Sequence, residues 1–372
     1  MLNIFQSKNK IGVDIGTSSI KVVELGKKGG RFELLNYGIL ELKNFNDNSG
    51  GQRLGQSILK FPNEEIVWGL KEILAKSNIK SKDVVASIPS FSTFTTIIEM
   101  PYLLEQDLAK AIPIEAKKYI PLPIEDVIID WSIIGVKEHN QVNSSKTNQA
   151  PGAKAVDSNI PAATIEVFLA AVPKTETLKY QNIMKSAGLN LKALELENAS
   201  LVRALLGNDL SPTAIVNIGG RSTSILIVGK GFERISHNYE IGGFEITKTI
   251  SKSLNISFEK AEELKRQFGL KNIDENVINN AMISLIDMMV FETKKTVMNY
   301  EESSGEKISR IIITGGLSNM PNFYEYFKNK IGRDVFPGNV FSRVVYDQTL
   351  SSIVGELGNV FAISMGLAMR DV

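Results

Sequence analysis

The chain contains no cysteine, which excludes disulfides, thiolate zinc sites, iron–sulfur clusters and cysteine nucleophiles. Its two histidines, His139 and His237, lie far apart in sequence and lack the HExxH or paired-ligand surroundings of a metal or triad site. Net charge is also nearly absent: 42 Lys and Arg against 41 Asp and Glu leave +1, so no global field draws in nucleic acid or an anionic membrane. No run of about 18 apolar residues occurs; the nearest stretch, Ile353 to Met369, is interrupted by Glu356 and Asn359. The opening residues MLNIFQSKNK are too short and too polar to hold the apolar core of a signal peptide. These absences point to a soluble, cytoplasmic protein. What remains is an ordinary globular composition, 43% hydrophobic and 22% charged over 372 residues. That is enough for two domains, or for one fold with two similar halves.

The second possibility has direct support. Ile11 to Leu25 reads IGVDIGTSSIKVVEL and Ala214 to Val228 reads AIVNIGGRSTSILIV. The two superpose without gaps, so that Val13, Asp14, Ile15 and Gly16 fall on Val216, Asn217, Ile218 and Gly219. Each is a pair of β-rich runs joined by a Gly/Ser/Thr turn, and two copies of one supersecondary unit imply two related halves. A third glycine junction follows in ISRIIITGGLSNMPNFYEYFKNKI, Ile308 to Ile331. There a β-branched run meets Gly315 and Gly316, and Asn319 with Pro321 is expected to cap and open a helix.

Between the first two junctions, Glu105 to Tyr119 reads as a charged helix kinked or broken by Pro113. Val127 to Val136 and Thr164 to Val172 read as strands. The polar stretch Glu138 to Ala162 has almost no large apolar residue and is expected to be a mobile loop. After the second junction the pattern turns helical over Glu245 to Leu254, Ser257 to Phe268 and Val277 to Tyr300, with Ser257 as a cap and Gly269 as a stop.

The junctions carry the chemistry. A turn of Gly16, Thr17, Ser18 and Ser19 at a strand end offers backbone N–H groups and hydroxyls to phosphate oxygens. Asp14 just before it can orient a hydrated Mg²⁺. Lys21 lies on the returning strand. Gly219, Gly220, Arg221, Ser222 and Thr223 form a second such turn, with Asn217 where the first has Asp14. Gly315 and Gly316 allow a flat ring or sugar to approach the backbone. Glu262 and Lys265, one helical turn apart, can reach a ribose or base, although such a pair taken alone is commonly solvated surface.

This order of motifs resembles the two phosphate motifs and the adenosine motif of the actin, heat-shock chaperone and sugar-kinase ATPase superfamily. Within it the chain resembles the PilM family, the cytoplasmic actin-like proteins of type IV pilus assembly. The stretches that carry this are IGVDIGTSSIKVVEL, EAKKYIPLPIEDVIIDWSIIG (Glu115 to Gly135), AAVPKTETLKYQNIMKSAGL (Ala170 to Leu189), GGFEITKTI (Gly242 to Ile250) and AEELKRQFG (Ala261 to Gly269). The resemblance implies an α/β actin-like ATPase fold, two RNase H-like lobes around a nucleotide cleft with an FtsA-type 1C subdomain. Its implied division is 1–92 with 175–210 and 350–372 as first lobe, 93–174 as 1C, and 211–349 as second lobe. It implies ATP and Mg²⁺ as cofactors, with Asp14 as the metal residue. Asp14, Gly16, Thr17, Ser18 and Lys21 match the first phosphate motif, and Asn217, Gly219, Gly220, Ser222 and Thr223 the second. Gly243, Glu262, Lys265, Gly315, Gly316, Leu317 and Asn319 match the adenosine side. Asn217 stands where the family has Asp, which makes hydrolysis weak or absent. The implied partner is the amino-terminal cytoplasmic peptide of PilN, and through it the inner-membrane platform and motor ATPases of the pilus. An FtsA-like division protein and a nucleotide-binding scaffold without turnover are the alternatives. A sugar kinase would need a general base for which no segment is evident.

Overall fold

The computed structural model describes residues 9–42, 61–138, 163–271 and 277–371. In chain order the elements are β1 (Lys10–Ile15), β2 (Ser19–Lys28), β3 (Arg31–Glu41), α1 (Asn63–Lys76), β4 (Asp83–Ile88), β5 (Phe94–Pro101), α2 (Glu105–Ala116), β6 (Val127–Glu138) and β7 (Ala163–Pro173). Next come α3 (Lys174–Ser186), β8 (Asn190–Leu196), α4 (Glu197–Leu205), β9 (Thr213–Ile218), β10 (Thr223–Gly229), β11 (Phe232–Tyr239), α5 (Gly243–Leu254), α6 (Phe258–Phe268) and α7 (Val277–Ser304). The chain finishes with β12 (Arg310–Thr314), α8 (Phe323–Ile331), β13 (Val335–Pro337), β14 (Val344–Val345), α9 (Val354–Val360) and α10 (Ala362–Ala368). Chain contacts divide these into one unit of Met1–Ser90 with Lys179–Val372 and another of Phe91–Leu178.

In the larger unit two sheets repeat one strand order. The first runs β14-β3-β2-β1-β4-β8 and the second β11-β10-β9-β12-β13. In each, an antiparallel hairpin leads into parallel strands, β1 with β4 and β9 with β12. The hairpins match residue for residue: Ile15 faces Ile20 and Asp14 faces Lys21 in one, Ile218 faces Thr223 and Asn217 faces Ser224 in the other. The gapless superposition of the two sequence segments is therefore a superposition of two strand–turn–strand units. The strands of both hairpins are Val/Ile-rich because both sheet faces are covered. Helices α1 and α3 cover one face of the first sheet with Ile66, Leu70, Tyr180 and Met184. Helices α4 and α10 cover the other with Leu201, Ala204 and Leu367. The second sheet packs on α5, α7 and α8 through Ile246, Met289 and Phe323. Val202 and Leu205 of α4 also pack against a cluster of Ile215, Leu226 and Ile312 in that sheet, so one helix serves both.

Three sequence expectations change. The short strand β14 pairs with β3, and Val340, Phe341 and Val344 join the first-sheet core, so a second lobe reaching to 349 ends too late. Helix α2 runs through Pro113 unbroken, because only its final residues follow the proline and the lost N–H bond is one of its last turn. Asn319 does not cap α8: Gly316–Asn319 forms a 3₁₀ turn and α8 starts only at Phe323. The expected loop at 138–162 and His139 lie outside the described residues except for the end of β6.

The smaller unit is a three-stranded antiparallel sheet, β5-β7-β6, with α2 on one face. Its own core is made of Ile98, Leu108, Ile112, Ile165, Val167 and Leu169.

Candidate nucleotide site

The site forms where the two hairpin turns meet. Each turn closes identically, Gly16 N–H to Ser19 O at 3.0 Å and Gly219 N–H to Ser222 O at 2.9 Å. The outer residues are thus used by the ladder, and the central pairs, Thr17 with Ser18 and Gly220 with Arg221, hold their N–H groups outside it. The turns face each other closely: a Cβ on Gly220 would lie 2.6 Å from Ser18 Cβ. The second turn is braced from behind by the start of α5, where Gly243 N–H donates to Gly219 O at 3.1 Å and Phe244 N–H to Gly220 O at 2.7 Å. A Cβ on Gly242 would sit 2.6 Å from Gly220 O, which explains the glycine there. Thr223 is buried, its hydroxyl donating to Ile241 O at 2.7 Å.

Asp14 lies at the base of the first turn and is 2% exposed. Ser87 Oγ donates to its Oδ1 at 3.1 Å, and Lys21 Nζ to its Oδ2 at 3.2 Å. Lys21 reaches it because the antiparallel register sets the two residues opposite each other. Sequence reading missed a second acid, Glu197, the first residue of α4 at its junction with β8. Its carboxyl is pushed up to about 8, chiefly by burial and next by the negative charge of Asp14, against the Ser90 N–H and Lys21. The signal available in sequence was an acidic residue at a strand-to-helix corner, ELEN, but its nearness to Asp14 is tertiary. Asn198 beside it donates to Glu233 at 2.9 Å and to Ser236 at 3.0 Å, joining α4 to β11.

On the side expected to face an adenosine, Glu262 and Lys265 are not solvated surface. Lys265 is 7% exposed and its ammonium donates to Glu262 at 2.7 Å, Thr247 at 2.9 Å and Gly243 O at 3.0 Å. Burial pushes the Lys265 ammonium below the ordinary lysine range, while at Glu262 burial, the largest single influence, is outweighed by Lys265, Thr247 and Arg266 together, which hold its carboxyl below the ordinary range. The two glycines of the third corner differ. Gly315 has φ +95 and backs onto Ile218, where a Cβ would lie 2.6 Å from the carbonyl carbon, whereas nothing lies within 4 Å of a Cβ on Gly316. Only Gly316 leaves room for an approaching ring. Leu317 is buried in the second core. Asn319 donates to Glu356 O at 3.0 Å and accepts from Asn359 at 2.8 Å, so its side chain holds α9.

Among the described residues no group of three or more acidic, His or Cys side chains could hold a metal. A cation at Asp14 would have to complete its shell with water and phosphate oxygens. That donor set fits Mg²⁺.

The family model of the type IV pilus assembly protein PilM matches residues 12–372. The chain belongs to that family. It is also 22% identical to the cell division protein FtsA of Enterococcus faecalis over 92% of its length and 84% of that protein. Among solved structures it is similar to a PilM-PilN type IV pilus biogenesis complex, with TM-score 0.76, 20% identity, and coverage of 97% of this chain and 98% of that one. MreB5 of Spiroplasma citri bound to ADP matches with TM-score 0.50 and 14% identity, covering 97% of this chain and 95% of that one. The fold of this PilM-family chain is thus the actin-like ATPase fold, and it is shared with a protein that binds ADP. Among the described residues no helix is long and apolar enough to cross a membrane.

Proposed function

We propose that the chain binds ATP with Mg²⁺ between the two hairpin turns and the Gly316 corner, turns it over slowly or not at all, and joins the pilus inner-membrane platform by holding the amino-terminal cytoplasmic peptide of PilN. The observation that carries the nucleotide reading is the meeting of two duplicated turns, Ser18 against Gly220, directly above Asp14 and Lys21. Hydroxyls and N–H groups of Thr17, Ser18, Gly220, Arg221 and Ser222 cradle the phosphates, and Lys265 with Glu262 lies on the side of the sugar. Mg²⁺, when bound, would neutralise phosphate charge, held through water by Asp14. Asn217 contributes a neutral amide where the duplicated unit has a carboxylate, which removes a second anchor for the metal. Burial and the nearby Asp14 charge push the Glu197 carboxyl up to about 8, well above the ordinary carboxylate range. The missing second anchor favours binding over turnover.

The partner reading rests on family membership and on likeness to the PilM-PilN complex. Calorimetry with ATP, with and without Mg²⁺, tests the first part: heat of binding is expected, and a flat titration would sink it. Capture of the chain by an immobilised synthetic PilN amino-terminal peptide tests the second, and failure to retain it would remove the pilus attachment.

A further inference from the structure

Both oxygens of Asp14 are occupied without a metal. Ser87 holds Oδ1 and the Lys21 ammonium holds Oδ2. Asp14 is 2% exposed, and the Lys21 side chain 18%. The ammonium also lies at the inner edge of the first turn, 3.8 Å from where a Gly16 Cβ would stand, so it faces the carboxylate and the phosphate-binding turn together. A buried carboxylate opposed to an anionic ligand is unfavourable unless a cation lies between them, and here that cation is part of the chain. Glu197 lies near both groups, and Asn217, in the corresponding place on the second hairpin, is a neutral amide.

We propose that Lys21 is a built-in counter-ion that stands in for Mg²⁺ at Asp14, so that this site accepts a nucleoside phosphate without a metal and Mg²⁺ competes with Lys21 for Asp14 Oδ2. The inference rests on the meeting of the two turns being a nucleotide site. It adds that the metal is a rival of one side chain and not a required part of the site.

The test is calorimetry of ATP binding to the full chain, in Mg²⁺ and in EDTA, for wild type, Lys21→Gln, Lys21→Arg and Asp14→Asn. Wild type is expected to bind in both conditions with affinities within about tenfold, a coupling at the low end of the usual range. Lys21→Gln leaves Asp14 uncompensated, so its affinity in EDTA falls at least about tenfold further than in Mg²⁺. Lys21→Arg keeps the charge and restores the wild-type ratio, and Asp14→Asn binds equally well in both conditions. If Lys21→Gln loses the same factor in both, Lys21 is only a phosphate ligand and the inference is overturned, while the nucleotide reading stands. A wild type that binds only with Mg²⁺ overturns it in the same way. No binding by any form in either condition removes the nucleotide reading itself, and this inference with it.

Discussion

Glu301 shows what a single buried charge does to this chain. It is 6% exposed near the end of α7, and its carboxylate accepts from both terminal nitrogens of Arg333 at 2.7 and 2.9 Å, from Ile308 N–H at 2.9 Å and from Lys307 at 3.1 Å. The Arg333 fork, first among these, pulls the carboxyl down to about 2 against burial. The folded value lies below the ordinary one, so as the pH falls the unfolded chain takes up the proton first. The stabilisation is complete above the ordinary carboxyl range and is lost progressively as the pH falls from about 4.5 to about 2. The shift corresponds to about 3 kcal/mol. Urea midpoints measured from pH 6 to pH 3 should fall for wild type and fall less for Glu301→Gln, which begins lower at neutral pH. Parallel pH profiles for the two proteins would show that the Arg333 fork is not what holds this corner. Glu301 also marks the limit of sequence reading at this scale. Its neighbours in sequence are Tyr300 and Glu302, and nothing there announces Arg333 on the far side of α8. The same holds for Glu197, whose chemistry comes from tertiary burial beside Asp14 and not from any local motif.

At the scale of elements, the hairpins were legible because a duplicated strand–turn–strand unit is written in consecutive residues. Apolar alternation, the turn glycine and the hydroxyls all lie within 15 positions of each other in each copy. The same is true of α6, where Ser257 Oγ accepts from Lys260 N–H at 3.2 Å and Gly269 ends the helix with φ +52. The third corner was legible only as a glycine break. In sequence Gly315 and Gly316 look interchangeable, but Gly315 is fixed by its left-handed backbone and by Ile218 behind it, while Gly316 is open. Gly315→Ala should therefore cost about 2 kcal/mol or more from backbone strain and collision, read as a drop in melting temperature. Gly316→Ala should leave stability nearly unchanged and instead weaken nucleotide binding, since it narrows the one opening at this corner. Equal melting temperatures for the two variants would contradict the division of roles. The misread cap at Asn319 has a related cause. The 3₁₀ turn consumes Gly316–Asn319 and delays α8, freeing the side chain for partners about 40 positions away, at Glu356 and Asn359.

Over the whole molecule, the segment after β14 ties the third corner to the first lobe. Helix α10 is buried throughout, and it lies backbone against backbone on its neighbours: a Cβ on Gly12 would be 2.7 Å from Ala368 N, and one on Gly366 2.7 Å from the Ser200 carbonyl carbon. Just before it, Asn359 is 4% exposed and holds the third corner three ways. Its carbonyl accepts from Gly315 N–H at 3.0 Å and from the Thr314 hydroxyl at 3.2 Å, and its amide donates to Asn319 at 2.8 Å. Residues that shape this third corner are thus positioned by a segment whose continuation packs in the core of the first sheet. Asn359→Ala keeps both carbonyl bonds and removes the side-chain bond. The expected loss is about 0.5–1.5 kcal/mol of stability, the net worth of one hydrogen bond to the half-buried Asn319. Because Asn319 then keeps only its bond to Glu356 O on α9, ATP affinity should also fall at temperatures where the variant remains fully folded. The two readings separate in one experiment, calorimetry well below the melting transition. Affinity equal to wild type there would mean that Asn359 serves folding alone, and that the corner keeps its shape without the tie to the first lobe.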